Sequence, residues 1–150
     1  MSDVTETASV LATIDGGQEL LDWFSSFPVF GSAFPDFGDS EIVSFHLRRQ
    51  GPSELMILVE RTTSSAIVTF IFCDWIDVGL RGFSHQNVIG GLTVKIADER
   101  DIGTAELGVG CTPGQHEITL EPCFGANGVI RATVQKIRLQ ILSPARSNGG

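Results

Sequence analysis

From Glu41 onward the chain is written in the period of a β-strand. In EIVSFHL, Val43, Phe45 and Leu47 fall on one face and Ser44 and His46 on the other. Successive side chains of a strand point to opposite faces, so a period of two half-buries as a strand and not as a helix. Gly51-Pro52 breaks this run, and SELMILVER, SSAIVTFIFCDW, IDVGLRGF, VIGGLTVKIAD, TAELGV and HEITLE follow, rich in β-branched and aromatic residues. Ile76, Val78 and Leu80 alternate with Asp77, Gly79 and Arg81, and Ile118 and Leu120 are expected to face inward.

The last segment, VIRATVQKIRLQIL, fits two periods. Ile130, Val134, Ile137 and Ile141 also make a helical face, but Ile130, Ala132, Val134 and then Ile137, Leu139, Ile141 form two alternating sets whose parity shifts near Gln135-Lys136. One extra residue in a strand flips the facing side, so the pattern predicts a strand carrying a β-bulge. One helix is expected, at about residues 17 to 26 of DGGQELLDWFSSFP. Asp15 is its candidate N-cap, Leu20, Trp23, Phe24 and Phe27 its apolar face, and Pro28 its stop. Strands punctuated by turns without intervening helices predict a β-rich α+β fold, an antiparallel meander-like sheet or a sandwich with one N-terminal helix. Residues 1–14 and 143–150 read as flexible tails around a single domain over 15–142.

Charge and composition narrow the function. The 150 residues are 42% hydrophobic and 19% charged, enough apolar material for one core. Ten Phe and two Trp without a Tyr suggest aromatics chosen for burial. A net charge of −8 repels nucleic acid and anionic membranes, which makes both poor partners, and is compatible with a basic partner or with solubility alone. The chain holds no run of about 18 apolar residues to span a membrane. Its acidic N-terminus lacks the basic and apolar regions of a signal peptide. Three cysteines, at positions 73, 111 and 123, do not read as a disulfide framework, so a reducing cytoplasm is expected.

LEPCFGANG, residues 120–128, looks most like chemistry. A nucleophilic cysteine needs a base or an electropositive setting, whereas Cys123 is flanked by Glu121, Pro122 and Phe124. It reads as a buried packing residue beside an Asn127-Gly128 hairpin turn. No pair among Cys73, Cys111, Cys123, His46, His85 and His116 has zinc-ligand spacing, so neither a metal nor another cofactor is expected. RGFSHQNVIGGL lacks a phosphate-loop pattern, and Gly82 to Asn87 read as a structured turn with Asn87 bonding backbone. Two acidic groups remain: Asp36, Asp39 and Glu41 in FPDFGDSEI, and Asp74 and Asp77 in CDWID. Paired carboxylates perform acid–base catalysis when a pocket separates their pKa values, and otherwise form a solvated acidic rim.

Three blocks together carry a resemblance: WFSSFPVF with FPDFGDSEIVSFHLRRQGPSELMI, VTFIFCDWIDVGLRGFSHQNVIGGLTV and ITLEPCFGANGVIRATVQKIRLQ. They resemble the bacterial immunity protein 50 family of polymorphic toxin systems at Phe37 to Ile42, Phe83 to Ile89 and Leu120 to Ile130, the last of these being the most specific. One departure is Gly38, where the family pattern leads one to expect a histidine before the acid. The resemblance covers roughly residues 18–142. It implies a cytoplasmic, non-catalytic protein that binds a cognate protein toxin and blocks it; basic nucleases are a toxin class that the charge would suit. On that reading the expected toxin-binding surface joins Asp36, Phe37, Asp39 and Glu41 to Asp74, Trp75 and Asp77, aromatic anchors ringed by acids. The competing classes are a small enzyme using those carboxylates and a structural or assembly module without catalysis.

Overall fold

The computed structural model describes residues 3–27, 34–48, 50–61, 63–96 and 115–142, with the side chains of residues 3–5, 74 and 75 outside that description. The expected strand TAELGV and the expected C-terminal tail lie outside the described residues, as does Cys111. The elements are α1 (Asp3–Ala12), α2 (Gly17–Ser25), β1 (Ser40–His46), β2 (Ser53–Glu60), β3 (Ser65–Arg81), β4 (Val88–Ile96), β5 (His116–Phe124) and β6 (Asn127–Leu142).

The six strands close into an antiparallel barrel in the order β1-β2-β3-β6-β5-β4, which corrects the expected meander-like sheet or sandwich. The physical reason is the β3–β6 ribbon. These strands run 17 and 16 residues and pair from Ser65↔Leu142 to Arg81↔Asn127. β2 lies along the first half of β3 and β5 along the first half of β6. Two irregularities fall between those halves. Gln135 is extra between Ile71↔Lys136 and Phe72↔Val134, and Asp74 and Trp75 are extra between Cys73↔Thr133 and Ile76↔Ala132. Bulges bend and coil a ribbon, and a ribbon bent at mid-length can carry its two flanking sheets round until they meet.

The Gln135 bulge is the one the parity shift predicted: Ile130, Ala132, Val134 and Ile137 are all buried, although Ile141 is 57% exposed. The inward alternation of Ile118 and Leu120 also holds, each at 1% exposure. The expected face of β1 does not hold. The register skips Val43 between Ile42↔Ile57 and Ser44↔Met56, so Val43 turns outward, and Leu47 beyond the strand is exposed too.

The barrel joins weakly at its seam, where β1 and β4 share only Ser40↔Ile89 and Glu41↔Val88. Beyond them α1 covers the β4 edge, and Val94 N–H donates to Thr7 Oγ1 across 3.0 Å in a buried bond. Residues 3–12, expected as part of a loose tail, therefore form a structural helix. Val10, Leu11 and Ile14 enter the core, each fully buried aliphatic chain contributing on the order of 1.5–3 kcal/mol. An edge strand left open invites pairing with other chains, and α1 blocks that.

The helix α2 matches its expected span within a residue and buries Leu20, Leu21, Trp23 and Phe24. Its N-cap is Gly16, without a side-chain cap bond, and not Asp15. Asp15 serves the β6 bulge instead. Its carbonyl accepts Ile137 N–H at 2.8 Å, beside an isolated parallel bridge to Lys136. The extra residue Gln135 thus shapes the strand surface on which the α1–α2 connection docks.

Candidate functional site at one end of the barrel

Three segments distant in sequence meet where β1 and β4 begin and β5 ends. Asp39 N–H donates to the Ile89 carbonyl at 2.9 Å, and Ile42 N–H to the Asn87 carbonyl at 2.8 Å. Asp39 holds φ +63°, a left-handed conformation that aspartate tolerates better than most residues. The turn before β4 is organised by Asn87, as expected. Its Oδ1 accepts Ser84 N–H at 2.9 Å and Ala126 N–H at 3.0 Å, and its Nδ2 donates to the Ser84 carbonyl at 3.0 Å. Gly125 presses against this turn at φ +95°, where an added Cβ would lie 2.5 Å from the Gln86 carbonyl oxygen. Only glycine fits there.

The β5–β6 connection differs from the expected Asn127-Gly128 turn. The two strands pair as far as Leu120↔Gly128 and then part. β5 continues along β4 to Phe124↔Val88 and β6 along β3 to Asn127↔Arg81, leaving Gly125-Ala126 as the link. The register between β4 and β5 shifts around Gly90, so Ile89 and Leu92 both face inward while Gly90 is exposed and Gly91 half-buried. Residues 121–124 are all exposed. Cys123 is therefore a surface thiol, which corrects its expected burial.

The expected toxin-binding residues divide. Asp36 and Asp39 are exposed at this end and Glu41 is half-buried beside them. Asp36 Oδ1 accepts Gly38 N–H at 2.9 Å, and the Arg61 guanidinium donates to the Asp36 carbonyl. Phe37 is 1% exposed and packs edge-on against Phe24 at 5.0 Å, so it is a core residue and not a surface anchor. Asp77 lies elsewhere. It pairs with Arg131 at 3.6 Å, and Arg131 also faces Glu117 at 3.3 Å. The row Asp77↔Arg131↔Glu117 reaches β4 at Lys95, six positions from Ile89 and so roughly 20 Å along the strand at about 3.3 Å per residue. Asp77 therefore does not converge with Asp36, Asp39 and Glu41. The side chains of Asp74 and Trp75 lie outside the described residues.

Sequence reasoning missed the exposed aromatics of this end. Phe83 is 56% exposed and Phe124 51%, and the exposed His85 ring meets Phe124 edge-on at 6.5 Å. Both phenylalanines sit inside the blocks that carry the resemblance. Their signal was position: each adjoins a glycine, Gly82 or Gly125, at a strand end where alternation stops.

Two cavities among the described residues lie away from this surface. One of about 190 Å³ is lined by Glu6, Lys95 and Glu117, and a more open one of about 390 Å³ by Asp15, Glu19, Lys136 and Arg138. Among the described residues no three His, Cys, Asp or Glu side chains gather closely enough to hold a metal ion. His116 is buried, its Nδ1 accepts Val134 N–H at 3.0 Å, and desolvation pulls its pKa below the ordinary value. Among the described residues, no helix is long and apolar enough to cross a membrane. Comparison with protein-family models, with curated proteins and with solved structures finds no significant match to this chain.

Proposed function

We propose that this protein is an immunity protein that binds a cognate bacterial toxin and neutralises it in the cytoplasm of the producing cell. The observation that carries the reading is the meeting of Phe37–Ile42, Phe83–Ile89 and the start of Leu120–Ile130 at one barrel end. Those are the segments of the resemblance, and they present aromatic side chains beside carboxylates. Such a mixture of apolar anchors and charged rim is how binding surfaces concentrate energy. The net charge of −8 favours a basic toxin, a nuclease being one class, and opposite charge speeds capture.

The enzyme reading has less support. Asp36 and Asp39 are exposed, and a solvated pair lacks the enclosed pocket that acid–base catalysis by paired carboxylates uses. The test is to read the genes beside this chain's own for a toxin domain, whose absence would count against the proposal, and to co-express that domain with this protein. Growth should be restored and the two proteins should co-purify. Continued killing with soluble, folded protein present would overturn the proposal.

A further inference from the structure

The exposed end of the barrel has an organisation that specifies more than a generic acidic surface. Phe83 and Phe124 flank the contact between Gly82 and Gly125, where a Cβ on Gly82 would lie 2.9 Å from the Gly125 carbonyl oxygen. Next to Phe124 the exposed Pro122 and Cys123 border Gly90. Gly90 is exposed at the β4 bulge, and a Cβ on it would meet the Pro122 carbonyl at 2.8 Å and Cys123 Cβ at 3.7 Å. A Cβ on Gly38 would lie 3.4 Å from the Gly90 carbonyl, and one on Gly91 3.3 Å from Glu121 Oε1. The Asp36 carboxylate thus packs over Gly38 and the Glu121 carboxylate over Gly91, on a low-relief strip that has exposed aromatics at its end.

Charge selects the occupant. Asp36, Asp39 and Glu121 are exposed around the strip. The cations of this end are Arg81, exposed at the end of β3, and Arg61, whose guanidinium is engaged by the Glu60 and Asp36 carbonyls and lies over the Phe24 ring. An apolar anchor beside an acidic, low-relief strip suits a polypeptide segment with an apolar residue next to lysine or arginine. The long stem of such a side chain packs along the low-relief strip while its head reaches the carboxylates.

We infer that the Phe83–Phe124 surface, with the Gly38–Gly90–Gly91 strip and the Asp36 and Glu121 carboxylates, is the docking site for a basic segment of the toxin. This assignment rests on the toxin-binding reading for the partner, and replaces the surface that included Phe37 and Asp77. The test measures the dissociation constant of the co-encoded toxin domain for the full chain and its variants. Phe124→Ala and Phe83→Ala should each weaken binding by roughly 10- to 30-fold, as hot-spot aromatics do. Glu121→Gln should weaken it about three- to tenfold at low salt, with a smaller loss at high salt. Leu47→Ser removes a comparably exposed apolar side chain elsewhere and should leave affinity within about twofold. Thermal midpoints close to wild type identify each loss as one of contact and not of folding. A complex indifferent to Phe83, Phe124 and Glu121 would overturn the surface assignment alone. Absence of a wild-type complex would overturn the toxin-binding reading and this assignment with it.

Discussion

Asn87 Oδ1 accepts the backbone N–H of Ala126 across 3.0 Å, joining two loops that stand 39 positions apart in the chain. The same side chain makes both of its bonds to the Ser84 backbone, so one amide fixes the turn before β4 and the link after β5. Replacing it with alanine leaves the N–H of a fully buried residue, Ala126, without its acceptor. Asn87→Ala should cost about 2–3 kcal/mol, the sum of lost bonds and one unsatisfied buried donor. Asn87→Asp keeps the acceptor and should cost less. Urea denaturation measures both, and equal losses would mean that the Ala126 bond is not the main contribution.

The seam between β1 and β4 gives a second expectation. Thr7→Val keeps the shape of the side chain and removes the acceptor of Val94 N–H. A loss of about 1–2 kcal/mol in the denaturation free energy should follow. Deleting residues 1–12 removes Val10 and Leu11 from the core as well, and uncovers the edge of β4. That truncated protein should aggregate at concentrations where the full chain does not. An unchanged midpoint for the truncation would mean that α1 adds nothing to the fold.

His116 makes stability depend on pH in a defined direction. Burial lowers the pKa of the folded state below the ordinary value of 6.5, and the cross-strand neighbours Ile96 and Ala132 offer no charge to compensate. Unfolded chains take up the proton near pH 6.5 while folded ones resist it. The contribution is therefore complete above that pH and is lost as the pH falls through it towards the folded-state pKa. The slope from this one group is at most about 1.4 kcal/mol per pH unit. His116→Asn, which retains an acceptor for Val134 N–H, should flatten the loss between pH 6.5 and 5.5 relative to wild type. Identical profiles would assign the acid sensitivity to other groups.

Gly128 is a strand residue at φ +138°, and a Cβ there would approach the Gly79 carbonyl oxygen to 2.1 Å. No rotamer relieves a backbone clash of that kind. Gly128→Val should therefore cost more than the ~1–2 kcal/mol expected from left-handed strain alone. Gly128→Ala should destabilise as well, because the clash begins at Cβ. Thermal melts of both variants check this, and an unchanged midpoint for Gly128→Ala would show that the β3–β6 ribbon yields there.

Local structure is written more plainly in this sequence than long-range pairing. The parity shift at Gln135 located a bulge, because a flipped face is written in the order of side chains. The helix at Leu20 to Phe24 and the Asn87 turn were legible for the same reason. Barrel closure was not, since it depends on Ser65 finding Leu142 and on bulges at Val43, Gly90 and Asp74-Trp75 that leave no unambiguous trace in alternation. The helix α1 did leave a trace. Thr7, Val10, Leu11 and Ile14 are spaced at 3, 4 and 7, but polar neighbours masked the stripe. Phe37 shows the limit at the site: an aromatic between acids reads as an anchor until packing places it against Phe24.

The central claim is that the end of the barrel bearing Phe83 and Phe124 is the surface the toxin covers. Cys123, exposed beside Phe124, reports on it directly, while the half-buried Cys73 serves as an internal reference. Labelling with a maleimide, followed by peptide mapping, gives the rate at Cys123 in the free chain and in its complex with the co-encoded toxin domain. Cys123 should label readily in the free protein and at least ~10-fold more slowly in the complex, with Cys73 unchanged. An equal rate at Cys123 in the free and bound states would contradict the claim.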